Sequence, residues 1–418
     1  MNSRRAFLRG AALTMFGAGS APLWLGRAAQ GMDASPNRRK VLVAIFQRGA
    51  ADGLNIVVPH GERDYYKLRP TLAIPAPSRG ASPGEAALDL DGFFGLHPSL
   101  ASLKPLWDAR ELAIVNAVGS PDPTRSHFDA QDYMEAGTPG VKSTRDGWLN
   151  RALVDEDGHP VSPVRAVAMG SALPRILRGP EPAVAIDRLE DFQVRSRQAE
   201  GAFSSIYGDS ADALLRNTGK EAFDAIRIVQ RVSAQTARAD EKYPNGPLAR
   251  SLRQIAALIK ADVGLEVAFA DVGGWDHHVN EVGVQPATGQ LANLLRQYGD
   301  ALAAFRRDLG DRFEDVVLVT MSEFGRTARE NGTRGTDHGH ANLMFVMGGP
   351  VAGGKVYGDW PGLGDGQLYE RRDLAVTTDF RDVLGELISE HLGNRDRTGL
   401  FPGYTVSLAR FRRLYSAS

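Results

Sequence analysis

The stretch LEVAFADVGGWDHH, residues 265–278, decides the fold. A largely apolar run from Leu265 to Ala270 is broken by Gly273-Gly274, and Asp276, His277 and His278 follow at once. That order reads as a buried strand that stops abruptly and carries a carboxylate and two imidazoles at its tip. In open α/β sheets the crevice beyond the strand carboxyl ends is where ligands bind. Working outward, three other stretches carry the same ingredients: VLVAIFQRGAADGLN (41–55), DVVLVTMSEFGR (315–326) and TDHGHANLMFVMGG (336–349). The expectation is that these tips converge on one metal site.

The intervening chain fits a layered α/β protein. GQLANLLRQYGDALAAFRRDLG (289–310) lines up Leu291, Leu294, Leu295, Tyr298, Leu302, Phe305 and Leu309 on one helical face. Residues 97–112 and 379–392 read as further helices, and 112–118, 164–169 and 183–186 as strands. Strands alternating with helices imply a mostly parallel sheet. Residues 40–418 are read as one domain, with the strongly charged helical pattern over 188–262 as an insertion or lid.

Composition excludes several classes. The 418 residues are 43% hydrophobic and 24% charged with a net charge of −1, so no global basic field invites nucleic acid or an anionic membrane. Without cysteine, disulfides and thiolate ligands are impossible, and any metal must be held by N and O donors. Residues 1–30 carry Arg4-Arg5, Phe7-Leu8, a short Gly-rich apolar run and a small-residue exit near Ala28-Ala29. They read as a twin-arginine signal, recognised by the export machinery and removed, too short in its apolar part to span a bilayer. The expected location is periplasmic or extracellular, with no stable membrane insertion after signal removal.

Chemistry concentrates in two pairs of histidines, His277-His278 and His338-His340, each beside an acid, Asp276 or Asp337. Such N and O donors suit zinc, manganese, magnesium or calcium. The bland alternative is loop histidines bonded to backbone. Asp52 stands in an Asp-Gly turn and Glu323 follows an apolar strand, where a carboxylate is costly unless it ligates or pairs, Arg326 being the nearest partner. Ser126 lies at a presumed helix start, either as a plain N-cap or as a hydroxyl activated by the helix dipole. Arg125 and His127 beside it could bind an oxyanion or a metal.

The order of RRAFL, GAADGLN, YYKLRPTLAI, GLHPSL, SHFDAQDYMEAG, GGWDHH, SEFGRT and DHGHAN resembles the exported proteins grouped as domain-of-unknown-function family 1501. That family is similar in layout to the alkaline phosphatase and sulfatase superfamily. The resemblance implies a three-layer α/β sandwich with two metal ions and a hydroxyl nucleophile at a helix start. It further implies metal ligands at Asp52, Asp276, His277 or His278, Glu323 and His340, with Ser126 in the nucleophile's region. Phe324 stands where that layout has a histidine, a loss His338 would make good. The implied substrate is a small phosphate or sulfate ester, attacked by Ser126 or by an activated water and held by Arg125 or Arg326. The alternative is a non-catalytic exported binding protein that keeps the fold.

Overall fold

The computed structural model describes residues 38–77, 84–153, 161–189, 225–232 and 241–415. The signal expected over 1–30 and much of the expected insertion, 190–224 and 233–240, lie outside the described residues.

Among the described residues nine strands form the central sheet: β1 (Val41–Gln47), β2 (Leu112–Gly119), β3 (Ala166–Met169), β4 (Val184–Ile186), β5 (Val267–Val272), β6 (Val316–Ser322), β7 (Asn342–Gly348), β8 (Lys355–Tyr357) and β9 (Thr378–Asp379). Their spatial order is β8-β2-β7-β6-β1-β5-β3-β4, with β9 also paired to β2. β1 sits at the centre, parallel to β5 on one side and to β6 on the other. Every residue of β1 is buried, because both faces of the sheet are covered. Alternation then divides them: Val41, Val43 and Ile45 enter one core, Leu42, Ala44 and Phe46 the other.

The first core is covered by α2 (Pro247–Lys260) and α3 (Gln290–Leu309), the second by α4 (Phe380–His391) and the short helix Trp148–Arg151. Three layers result, and the expected α/β class with a mostly parallel sheet is what the chain adopts. The described part of the expected insertion packs into the first core, through Ala225, Val229 and Val232 and the apolar face of α2. The helix expected over 97–112 is split into a 3-10 turn, Pro98–Leu103, and a short helix, Lys104–Asp108. Pro105 causes the split: without an N–H it fits only a first helical turn.

One strand reverses. β7 is antiparallel to both β6 and β2. Its amino end therefore lies at the rim where the other strands end. Registers show the alignment: Gln47 pairs with both Val272 and Ser322, and Asn342 pairs with Val118. The loops after β1, β2, β5 and β6 and the loop before β7 thus share one rim.

Candidate metal centre

Five segments build the centre at that rim. The loop after β5 turns at Gly273-Gly274 and is pinned by Trp275, whose buried ring meets Tyr298 of α3 edge-on at 5.5 Å. This sets Asp276 beside Gly49, where a Cβ would come within 2.9 Å of the Asp276 nitrogen. With φ at +114° as well, only glycine fits position 49. The loop after β2 leads into α1 (His127–Ala136), which opens with His127 and stops at left-handed Gly137. The loop before β7 supplies His338.

Donor atoms of His127, Asp276 and His338 all lie within 4.8 Å of one another. His127 Nε2 is 3.7 Å from Asp276 Oδ2, and His338 Nε2 is 3.6 Å from Asp276 Oδ1. His278 Nε2 adds itself at 3.1 Å from the same carboxylate and 2.9 Å from His338 Nε2. The group is partly open to solvent, with side-chain exposures of 23% for His127, 24% for His338, 40% for His278 and 47% for Asp276.

The hydrogen bonds on the far sides of the rings set the tautomers. His127 Nδ1 faces Glu323 Oε1 at 2.7 Å, His278 Nδ1 faces Asp337 Oδ1 at 3.1 Å, and His338 Nδ1 faces the Arg125 carbonyl at 2.8 Å. All three partners are acceptors, so each Nδ1 carries the hydrogen and donates. In the neutral rings each Nε2 is then a bare lone pair. Three lone pairs and a carboxylate aimed at one small volume repel unless a cation stands between them. Metal-ligating histidines commonly hand their other N–H to a carboxylate or backbone carbonyl in this way. The donor set therefore fits a divalent cation.

Ionisation supports the same arrangement. Asp276 is lowered: burial alone would raise it, but the Arg326 hydrogen bond and the nearby histidines outweigh burial. Glu323 is also held below the usual range, since bonds from His127, Gln131 and backbone N–H groups overcome its burial. His338 is lowered by burial, and His127 is raised, chiefly by the Glu323 bond. A cation at His127 would compete with a proton.

The other expected site residues have different duties. Asp52 does not face the cluster. It is buried in a two-pronged pair with Arg69, at 2.5 and 2.9 Å. Burial, and then the charge of Asp52 beside it, push the Glu281 carboxyl well up. The Glu323 oxygens are taken by His127, Gln131, the Gly49 N–H and the Ser322 hydroxyl. His340 turns away, Nε2 donating to the Ser120 carbonyl at 3.0 Å and the ring against Tyr369. His277 is buried, with Nδ1 unpartnered and its ring held neutral by burial.

Arg125 is bonded to Glu370 and Asp373, and contributes to the cluster only its carbonyl. Arg326 is a wholly buried staple that donates to the carbonyls of Gly49, Ala50, Trp275 and Thr336 and to Asp276. Ser126 is the exposed N-cap of α1, and its hydroxyl makes no capping bond. Sequence reasoning missed Arg69, Glu281 and Gln131. Arg69 stood in plain view in YYKLRPTLAI, and Gln131 lies one helical turn beyond His127, on the same face.

The family model described as "Protein of unknown function (DUF1501)" matches residues 96–397. The chain belongs to this family. The DUF1501 match runs from ahead of β2 to the loop beyond α4 and takes in His127, Asp276, His278 and His338. No curated protein matches the chain. Among solved structures it is similar to the C-terminal periplasmic domain of EptC from Escherichia coli in complex with Zn. The match is 10% identical, covers 75% of this chain and 73% of that one, and has a TM-score of 0.34. No helix among the described residues is long and apolar enough to cross a membrane.

Proposed function

We propose that the chain is an exported, metal-dependent hydrolase of alkaline phosphatase-like layout, acting on a phosphate or sulfate ester. One observation carries the reading: three imidazoles, each held outward through Nδ1, point Nε2 at Asp276. His127, His278, His338 and Asp276 would hold the ion. Three nitrogens to one carboxylate favour zinc or a similar transition ion over magnesium or calcium. Such an ion supplies Lewis acidity toward the oxygen of a bound ester. The chain's own part is positional. Arg326 fixes the Asp276 carboxylate, Glu323 and Asp337 fix two rings, and α1 brings the exposed Ser126 hydroxyl next to His127 as candidate nucleophile.

One cation per chain is expected, because Arg69 already occupies both oxygens of Asp52. A second reading, a binding protein with a structural ion, has its own support. Arg125 and Arg326, the two arginines expected to hold an oxyanion, are both committed to protein acceptors. Elemental analysis of the purified chain, then a screen of phosphate and sulfate esters on metal-loaded protein, separates the two. The hydrolase reading expects about one equivalent of metal and turnover abolished in Asp276→Ala. Bound metal without turnover supports the binding protein, and a metal-free chain sinks both.

A further inference from the structure

We propose that Glu323 is a positioning residue of the metal centre, acting through His127 and never touching the cation. The inference rests on the metal reading above. The Glu323 side chain is wholly buried, with 0% exposure. Its Oε1 accepts from His127 Nδ1 at 2.7 Å, from Gln131 Nε2 at 2.9 Å and from the Gly49 N–H at 2.9 Å. Its Oε2 accepts from the Ser322 hydroxyl at 3.0 Å. Three donors on one oxygen leave it nothing for a metal.

Geometry fixes what this carboxylate does. His127 and Gln131 are one turn apart on α1, so a single oxygen grips that helix face at two points. Phe324 closes on the imidazole, ring centroids 5.0 Å apart, and removes the freedom to swing. Backbone, helix and strand end therefore converge on the one hydrogen that sets the His127 tautomer. No lysine or arginine bonds to Glu323 among the described hydrogen bonds. Its one titratable partner among those bonds is the His127 ring. A cation at His127 Nε2, on the far side of the ring, balances the carboxylate charge and binds more tightly for it.

The test uses the full chain stripped of metal and titrated with cobalt(II), reading affinity and the visible band pattern of the bound ion. Glu323→Gln keeps an oxygen for Nδ1, Gln131 and Gly49 but removes the charge. It should retain the wild-type band pattern and bind cobalt ~10- to 100-fold more weakly. Glu323→Ala, which also frees the ring, should bind more weakly still. Apo unfolding of the glutamine variant, followed in denaturant, should stay near wild type, which separates tuning from general damage. Glu323→Gln affinity equal to wild type would overturn the proposal. So would a glutamine variant whose bands change as those of His127→Ala do, because Glu323 would then be a ligand. A wild-type chain that takes up no cobalt would overturn the metal reading, and this inference with it.

Discussion

Two carboxylates at the carboxyl ends of neighbouring central strands, Asp52 after β1 and Asp276 after β5, meet opposite fates. Asp52 is 1% exposed and both its oxygens are spoken for by Arg69. That guanidinium spends its remaining donors on Asn55 and on the carbonyls of Thr327 and Ala328, so all five N–H groups are used. Asp276 is half exposed, takes a single arginine donor, and is ringed by the Nε2 atoms of three imidazoles whose Nδ1 atoms are engaged elsewhere. The difference between them is saturation. A closed set of partners makes a strut; a set of acceptors facing one another makes a seat for a cation.

The sharpest way to break this contrast is Arg69→Met. It leaves Asp52 buried and unpaired, which costs about 3–5 kcal/mol. Denaturant unfolding of the metal-free chain reads the loss, and adding Asp52→Asn should restore most of it. A folded Arg69→Met chain that instead gains a second equivalent of metal would erase the distinction, because Asp52 would then be a ligand held in check by Arg69.

A milder test asks whether an unpartnered imidazole nitrogen is enough to mark a ligand. It is not. His97 Nε2 and His391 Nδ1 are also buried without a hydrogen-bond partner, yet among the described residues neither belongs to a cluster of donor atoms like that at Asp276. Burial drives His97 down to about 3 and His391 down to about 4. Both are neutral when folded, and the unfolded chain takes up protons first, from an ordinary value of 6.5 downward. Stability should therefore be intact above that value and fall with acid, by about 2 kcal/mol per histidine at pH 5. His391→Gln, able to keep a donor for the Val41 carbonyl, should remove its share of that acid slope. An unchanged slope would mean His391 is not kept neutral by burial.

How much of this was readable beforehand follows from the same physics. Strands buried on both faces must be apolar throughout, so Val41–Phe46 and Val316–Met321 announced themselves. The reversal of β7 did not, since a fully apolar run is the same in either direction. The rim cluster was half legible: Asp276, His278 and His338 sit in dense His/Asp runs. Their companion His127, some 150 residues before Asp276, was picked out as able to bind an oxyanion or a metal, but nothing local joins it to the other three. The pairing of Asp52 was not foreseen because its partner Arg69 lies 17 residues on, and nothing in the spacing says that the pair is sealed from water. Glu323 was recognised as a costly carboxylate, but its partners were mistaken: the expected Arg326 bonds to Asp276 and to carbonyls instead.

The smallest expected effect on stability belongs to Ser126, and its smallness is what makes it informative. An N-cap serine that bonds the helix N–H groups costs ~1 kcal/mol when changed to alanine. At α4 the capping side chain makes that bond: Asp379 Oδ1 accepts from the Arg381 N–H at 2.9 Å. At α1 the Ser126 hydroxyl makes none, so Ser126→Ala should move the unfolding free energy by less than ~0.5 kcal/mol. Any loss of turnover in that variant is then chemical, because neither the fold nor the His127 position depends on the hydroxyl. An alanine variant that turns over normally would pass the attack to water and leave Ser126 a bystander beside the metal centre. A variant that loses ~1 kcal/mol or more would instead make Ser126 a cap like Asp379, a strut in the sense that Asp52 is one.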